Sequence, residues 1–310
     1  MTIAAAEILA HENVDPMTRG ILHVVSILDS VGAREWSLRM VAVVTFGALG
    51  MIRMTIGKRY NIDWYALTHN AATGIGSVAA VYLDVFAAKN LTGTPEPLRS
   101  CLCGGPLTSL HRILPALTMG YGVLDLVEGL HLGPDFAAHG IATFSIMTFF
   151  VESDQPQIVV PFLMMEVSSI FLCTVRADFF NDTMSAIWQA LFALTFFIFR
   201  IVVTPLIWVR LVTTLYEHSG EEVYQSCINP YVLPTSLLVG IFFHCLNAFW
   251  FYKICRKVKR KLSGKEKVRS RNDLKEKEDH AHDENKENVS ANANVATNGH
   301  ALKVKNKKTN

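Results

Sequence analysis

Nine ionisable side chains stand in stretches that otherwise read as hydrocarbon-seeking helix: His69, Asp84, Asp125, Glu128, His131, His139, Glu166, Arg200 and His244. Such groups are costly at membrane depth, so each is a candidate for function or for an internal partner. Tyr121, Asp125 and Glu128 recur at i, i+4, i+7, which is one face of an α-helix. His139 and Thr143 share a face, as do Glu166, Ser169 and Cys173, and as do Arg200 and Thr204. Lipid offers no partners, so these stripes must converge on a common interior, either a polar-lined cavity or an ion-pair network. The candidate lipid-cavity set is His69, Tyr121, Asp125, His139, Thr143, Glu166, Ser169 and Arg200. A catalytic reading makes His139 the nucleophile or general base, with Asp125 or Glu166 orienting its ring. A plainer reading pairs Arg200 with Glu166 or Asp125, bonds His69 and His244 to a carbonyl or hydroxyl, and lets Asp84, Glu128 and His131 reach water at helix ends.

The elements that carry these residues are apolar runs of membrane-spanning length. Seven occur, at 36–56, 64–86, 110–132, 136–151, 158–176, 185–212 and 232–254. Gly133-Pro134 breaks the third from the fourth and predicts a tight hairpin. The 310 residues are 50% hydrophobic and 18% charged, with a mean hydropathy of +0.26. A soluble domain carries about 25% charge. The fold class expected is therefore an all-α polytopic membrane protein, a bundle of about seven transmembrane helices. Residues 1–35 form an N-terminal segment whose apolar 21–28 stretch is an interfacial helix or the lead-in to the first span at 36–62. Residues 63–255 hold the remaining six helices, and 256–310 form a polar tail too poor in apolar residues to order itself. No internal repeat, Gly-rich phosphate loop or Cys/His metal spacing is present, and neither a nucleic-acid partner nor a metal is expected.

Orientation follows from basic residues. Ten Lys/Arg stand against one Glu between Lys253 and Arg271, which places the tail in the cytosol. With seven spans the basic 53–60 link is then cytosolic and the acidic 151–156 and 216–222 links lie outside. Cys101, Cys103 and Cys227 fall on the lumenal side, where a disulfide from Cys227 to either of the others and free thiols are both compatible with the sequence. Asn90-Leu-Thr is a glycosylation sequon close to the second span. The basic start of the tail suits anionic lipid headgroups. Its last residues include Lys307-Lys308, which resembles a dilysine signal for retrieval to the endoplasmic reticulum.

Five stretches in order carry a resemblance to the TLC domain: "ALTHNAATG" (66–74), "GYGVLDLVEG" (120–129), "AAHGIATFSIMTFF" (137–150), "PFLMMEVSSIFL" (161–172) and "LTFFIFRIVVTP" (194–205). The pattern is closest to TLC domain-containing proteins of unknown or lipid-regulatory role, with the ceramide synthases more distant. The resemblance implies a helical bundle of the endoplasmic reticulum that binds or processes lipid acyl chains. Synthases pair two adjacent histidines in the fourth span, where this chain has His139 followed by Gly140. After Glu166 no histidine follows in "VSSIFLCTVRADFFND". The reading this favours is a lipid-binding or lipid-sensing protein of membrane lipid homeostasis, with no cofactor. The alternative is an acyltransferase moving an acyl group from acyl-coenzyme A to a lipid amine. A transporter is disfavoured by charges of mixed sign and the lack of repeats.

Overall fold

Asp15 stops the incoming chain and Pro16 starts the first helix, α1 (Pro16–Ser30). The Asp15 carboxylate accepts the backbone N–H groups of Met17 and Thr18, 3.0 Å each, which are donors a helix start leaves unpaired. It also accepts the hydroxyls of Thr18 and Tyr82, the latter at 3.1 Å. Thr18, Leu22 and Val25 form the buried face of α1. The structure, a computed structural model, describes residues 15–33, 36–57, 59–92, 108–175 and 177–262. Cys101, Cys103, Lys307 and Lys308 lie outside the described residues.

After α1 come α2 (Leu38–Thr55), α3 (Trp64–Thr92), α4 (Ser109–Leu132) and α5 (Pro134–Glu152). A 3-10 stretch, Pro156–Met165, runs into α6 (Glu166–Thr174). Then α7 (Asp182–Phe196), a π-helical stretch Phe197–Val203 and α8 (Thr204–His218) form one continuous rod. The short α9 (Glu222–Cys227) and the long α10 (Val232–Leu262) complete the described chain, which contains no strand. Helices thus stand at all seven places marked by apolar runs. Among the described residues, five are long and apolar enough to cross a membrane: Leu38–Thr55, Ser109–Leu132, Pro156–Thr174, Asp182–His218 and Val232–Arg260. In α3 the polar side chains of His69, Asn70, Thr73 and Ser77 are all buried in the protein.

Two runs depart from simple α-helix. The fifth begins as ten residues of 3-10 helix containing Pro156 and Pro161. The sixth changes pitch at Phe197–Val203, just ahead of Pro205. Proline has no N–H for the Ile201 carbonyl one turn back, and a π turn absorbs that lost bond. Thr204 closes the turn, its N–H and its hydroxyl (2.6 Å) both directed at the Phe199 carbonyl.

Helices α4 and α5 form the hairpin expected from Gly133-Pro134, with Gly133 at φ 139°. They pack backbone to backbone. A Cβ on Gly140 would lie 2.7 Å from the Leu126 Cα and 2.8 Å from its N. Small residues are how membrane helices achieve such approach. At one end of the bundle the 56–63 and 175–181 links meet, through Asp178 N–H donating to the Tyr60 carbonyl at 3.1 Å. At the other, Arg39 pairs with Glu152, and Gln155 Nε2 donates to the Cys227 carbonyl at 3.0 Å. Cys227 is disulfide-bonded to a residue outside the described ones. The chain divides into two units, 1–251 and 252–310, and of the second only the end of α10 is described.

Candidate functional site

Arg200 sits within the π turn and is 5% exposed. Its Nε donates to Ser168 Oγ at 3.0 Å, Nη2 to Ser169 Oγ at 2.8 Å and Nη1 to Asn247 Oδ1 at 3.4 Å. Nη2 also stands 3.5 Å from both carboxylate oxygens of Glu166, and the guanidinium lies 5.3 Å from the Phe196 ring centre. A buried cation needs such a surround, because its desolvation cost is offset only by an opposite charge and full hydrogen bonding. Glu166 is the first α-helical residue after the 3-10 stretch, so the two pitch changes meet at one ion pair.

A second polar group adjoins it. His69 stacks on Tyr121 with ring centres 3.9 Å apart and planes 5° from parallel. Its Nε2 pairs with Thr118 Oγ1 at 3.3 Å and its Nδ1 with Asn70 Oδ1 at 3.0 Å, while Asn70 Nδ2 donates to Cys173 Sγ at 3.4 Å. Tyr121 donates to Asp125 Oδ1 at 3.2 Å. The other oxygen of Asp125 is 3.8 Å from His139 Nε2, close enough for charge attraction and too far for a hydrogen bond. His139 meets Phe243 and Trp250 edge-on at 5.7 and 5.2 Å, and Trp250 donates to Asp135 at 3.1 Å.

Against this polar network lies a cavity of about 90 Å³ between α5, the 3-10 stretch, α8 and α10. His139, Thr143, Glu166 and Thr118 border it on the polar side, and Ile146, Phe150, Val159 and Leu163 are among its apolar walls. Its lining follows α5 from His139 to Phe150, about 16 Å at 1.5 Å per residue, so it is elongated along the helices. On α10 the wall is Gly240, where a Cβ would fall inside the indole of Trp208.

Of the eight candidate lining residues, only His139, Thr143 and Glu166 touch the cavity. Tyr121, Asp125, His69, Ser169 and Arg200 stand behind them, because their polar atoms bond one another and leave apolar residues to shape the void. Glu128 does not follow Tyr121 and Asp125 inward; it pairs with Arg53. Asp84 does not reach water. Its carboxylate is buried 3.0 Å from His111 Nε2, and His111 Nδ1 pairs with Thr108 Oγ1 at 2.8 Å. His111 escaped the sequence reading, although a carboxylate at the end of α3 needs a partner at the facing start of α4. His244 finds neither carbonyl nor hydroxyl. His131 is exposed as expected. Among the described residues no cluster of His, Cys, Asp and Glu is placed to hold a metal.

Residues 108–256, from the start of α4 into α10, match the family model of the TLC domain. The chain carries a TLC domain. The match includes every residue lining the cavity, while His69 lies outside it and packs on the domain through Thr118 and Tyr121. No curated protein and no solved structure matches the chain. The TLC domain and the apolar helices together make it an integral, multi-pass membrane protein of a lipid-related family.

Proposed function

We propose that this TLC-domain protein binds a lipid in the cavity and thereby senses or adjusts membrane lipid composition. The supporting observation is an elongated, largely apolar cavity with polar side chains at one border, wholly inside the TLC domain. Apolar walls receive a hydrocarbon chain, and a few placed polar groups orient its head, which is the usual division of labour in small-molecule sites. Purification in mild detergent followed by mass spectrometry should find lipid retained in proportion to protein. Val239→Trp, which fills the cavity from α10, should lower that content severalfold. Unchanged content in the filled variant sinks the reading. The same reading places the protein in the endoplasmic reticulum with its tail in the cytosol, where the basic run Lys253 to Arg271 faces anionic headgroups and Lys307-Lys308 acts in retrieval.

One observation favours a second reading, acyl transfer from acyl-coenzyme A to a lipid amine. His139 lines the cavity beside Asp125, and its Nδ1 is buried without a partner. A catalytic imidazole would be disabled equally by His139→Gln and His139→Leu, since neither side chain takes up a proton near neutral pH. In the binding protein, Gln keeps a donor and an acceptor and should preserve both stability and bound lipid. Turnover of acyl-coenzyme A over a panel of lipid amines, measured beside thermal stability, separates the two.

A further inference from the structure

Three side chains that line the cavity carry buried hydrogen-bonding atoms with no partner among the described residues: Nδ1 of His139, both ring nitrogens of His244 and Oγ of Ser236. Ser236 is 6% exposed. His139 belongs to the polar border, where a lipid head would lie. The other two do not. They stand on α10 among Val239, Phe243 and Leu211, where a plain hydrocarbon tail would run. Eight residues separate them, about 12 Å along the helix. Trp208 satisfies neither. Its N–H donates to the Ser236 backbone carbonyl at 2.8 Å, and its ring meets His244 at 73° with centres 5.0 Å apart.

Buried polar groups in native proteins are paired, and lipid outside the bundle supplies nothing to pair with. A neutral imidazole donates from one nitrogen and accepts at the other, and a serine hydroxyl does both. The ligand group that answers each of them is one that also donates and accepts. We infer that the cavity selects a hydroxylated lipid, one whose hydrocarbon body carries a hydroxyl received by His244, with Ser236 a second such station further along α10. This rests on the lipid-binding reading and names its ligand class. A site built to hydrogen-bond a hydroxyl rejects the analogue lacking it, because its own polar atoms are then left unpaired.

The test uses the full-length protein in nanodiscs loaded with a fluorescent polyunsaturated fatty acid, displaced by stearate or by stearate hydroxylated at mid-chain. The hydroxylated chain should displace it at about tenfold lower concentration, the effect of one well-made hydrogen bond. His244→Phe keeps a ring of similar size and should bring the ratio of the two displacing concentrations close to one. His244→Gln, which retains a donor and an acceptor, should keep most of the preference. Ser236→Ala should weaken the preference only for isomers with the hydroxyl further along the chain. Equal displacement by both chains in the wild type means that water satisfies these atoms, and it overturns the inference, as does a preference that survives His244→Phe. Failure of the fluorescent chain to bind at all removes the lipid-binding reading itself.

Discussion

Gly140 stands where a synthase would carry its second histidine, and the structure shows what it does here. With Leu126 backbone atoms 2.7 and 2.8 Å from where a Cβ would be, any side chain must push α5 off α4. Gly140→Ala should cost about 1–3 kcal/mol by overpacking, and Gly140→His more. Gly47 and Gly50 are controls of the same residue type, since a Cβ on either meets nothing within 4 Å. Alanine there should be neutral or stabilising by about 1 kcal/mol through helix propensity. Thermal unfolding in one detergent measures all of these variants. Arg200 permits a second prediction. Arg200→Leu leaves Glu166 buried without its cation and should cost about 3–5 kcal/mol, whereas Arg200→Leu with Glu166→Leu should recover a large part of it. If the double variant is as unstable as the two losses added together, Arg200 and Glu166 are not energetically coupled.

The irregular elements are where sequence and structure inform each other most. Regular periodicity assigns Glu166 with Ser169 and Arg200 with Thr204 to shared faces, and Glu166 and Ser169 do converge on Arg200. The change of pitch was written in Pro161 and Pro205, yet proline alone does not say whether a helix kinks, tightens to 3-10 or widens to π. The first helix carries a different prediction. The Asp15 carboxyl is held below its ordinary range, chiefly by the Thr18 hydroxyl, then by the Thr18 N–H and the Tyr82 hydroxyl. A carboxyl whose folded pKa is depressed stabilises fully above its unfolded value, and that contribution fades as pH falls through the folded one. The attachment of α1 should therefore hold at neutral pH and loosen at pH below about 4. Limited proteolysis at Arg19 across pH reads this out. Asp15→Ala should be cleaved at neutral pH as readily as the wild type is in acid, and equal resistance of the two at neutral pH would falsify the capping role.

For the whole molecule, the seven runs were legible because each is long, apolar and bounded by charge or Gly-Pro. The polar network was legible in part, since an ionisable residue in lipid must find company. The cavity was not, because Ile146, Phe150, Val159 and Leu163 look the same in sequence whether they face a void, a neighbour or lipid. Seven crossings predict a tail and an N-terminus on opposite sides. A cysteine in the tail should label once the plasma membrane alone is permeabilised, an N-terminal one only after the internal membranes are opened as well, and labelling of both at the first step would mean an even number of crossings. Changing Lys307 and Lys308 to Ser should release tagged protein to later compartments, and an unaltered distribution removes the retrieval role. The two walls of the cavity also differ mechanically. Helix α5 is joined to α4 at backbone distance, so it can move only with its partner. Among the described residues α10 meets its neighbours through side-chain tips: Trp208 on the Ser236 carbonyl, Arg200 on Asn247, Trp250 on Asp135. One wall is stiff and the other compliant, so a chain entering from the bilayer needs rotamer changes along α10 rather than the parting of a helix pair.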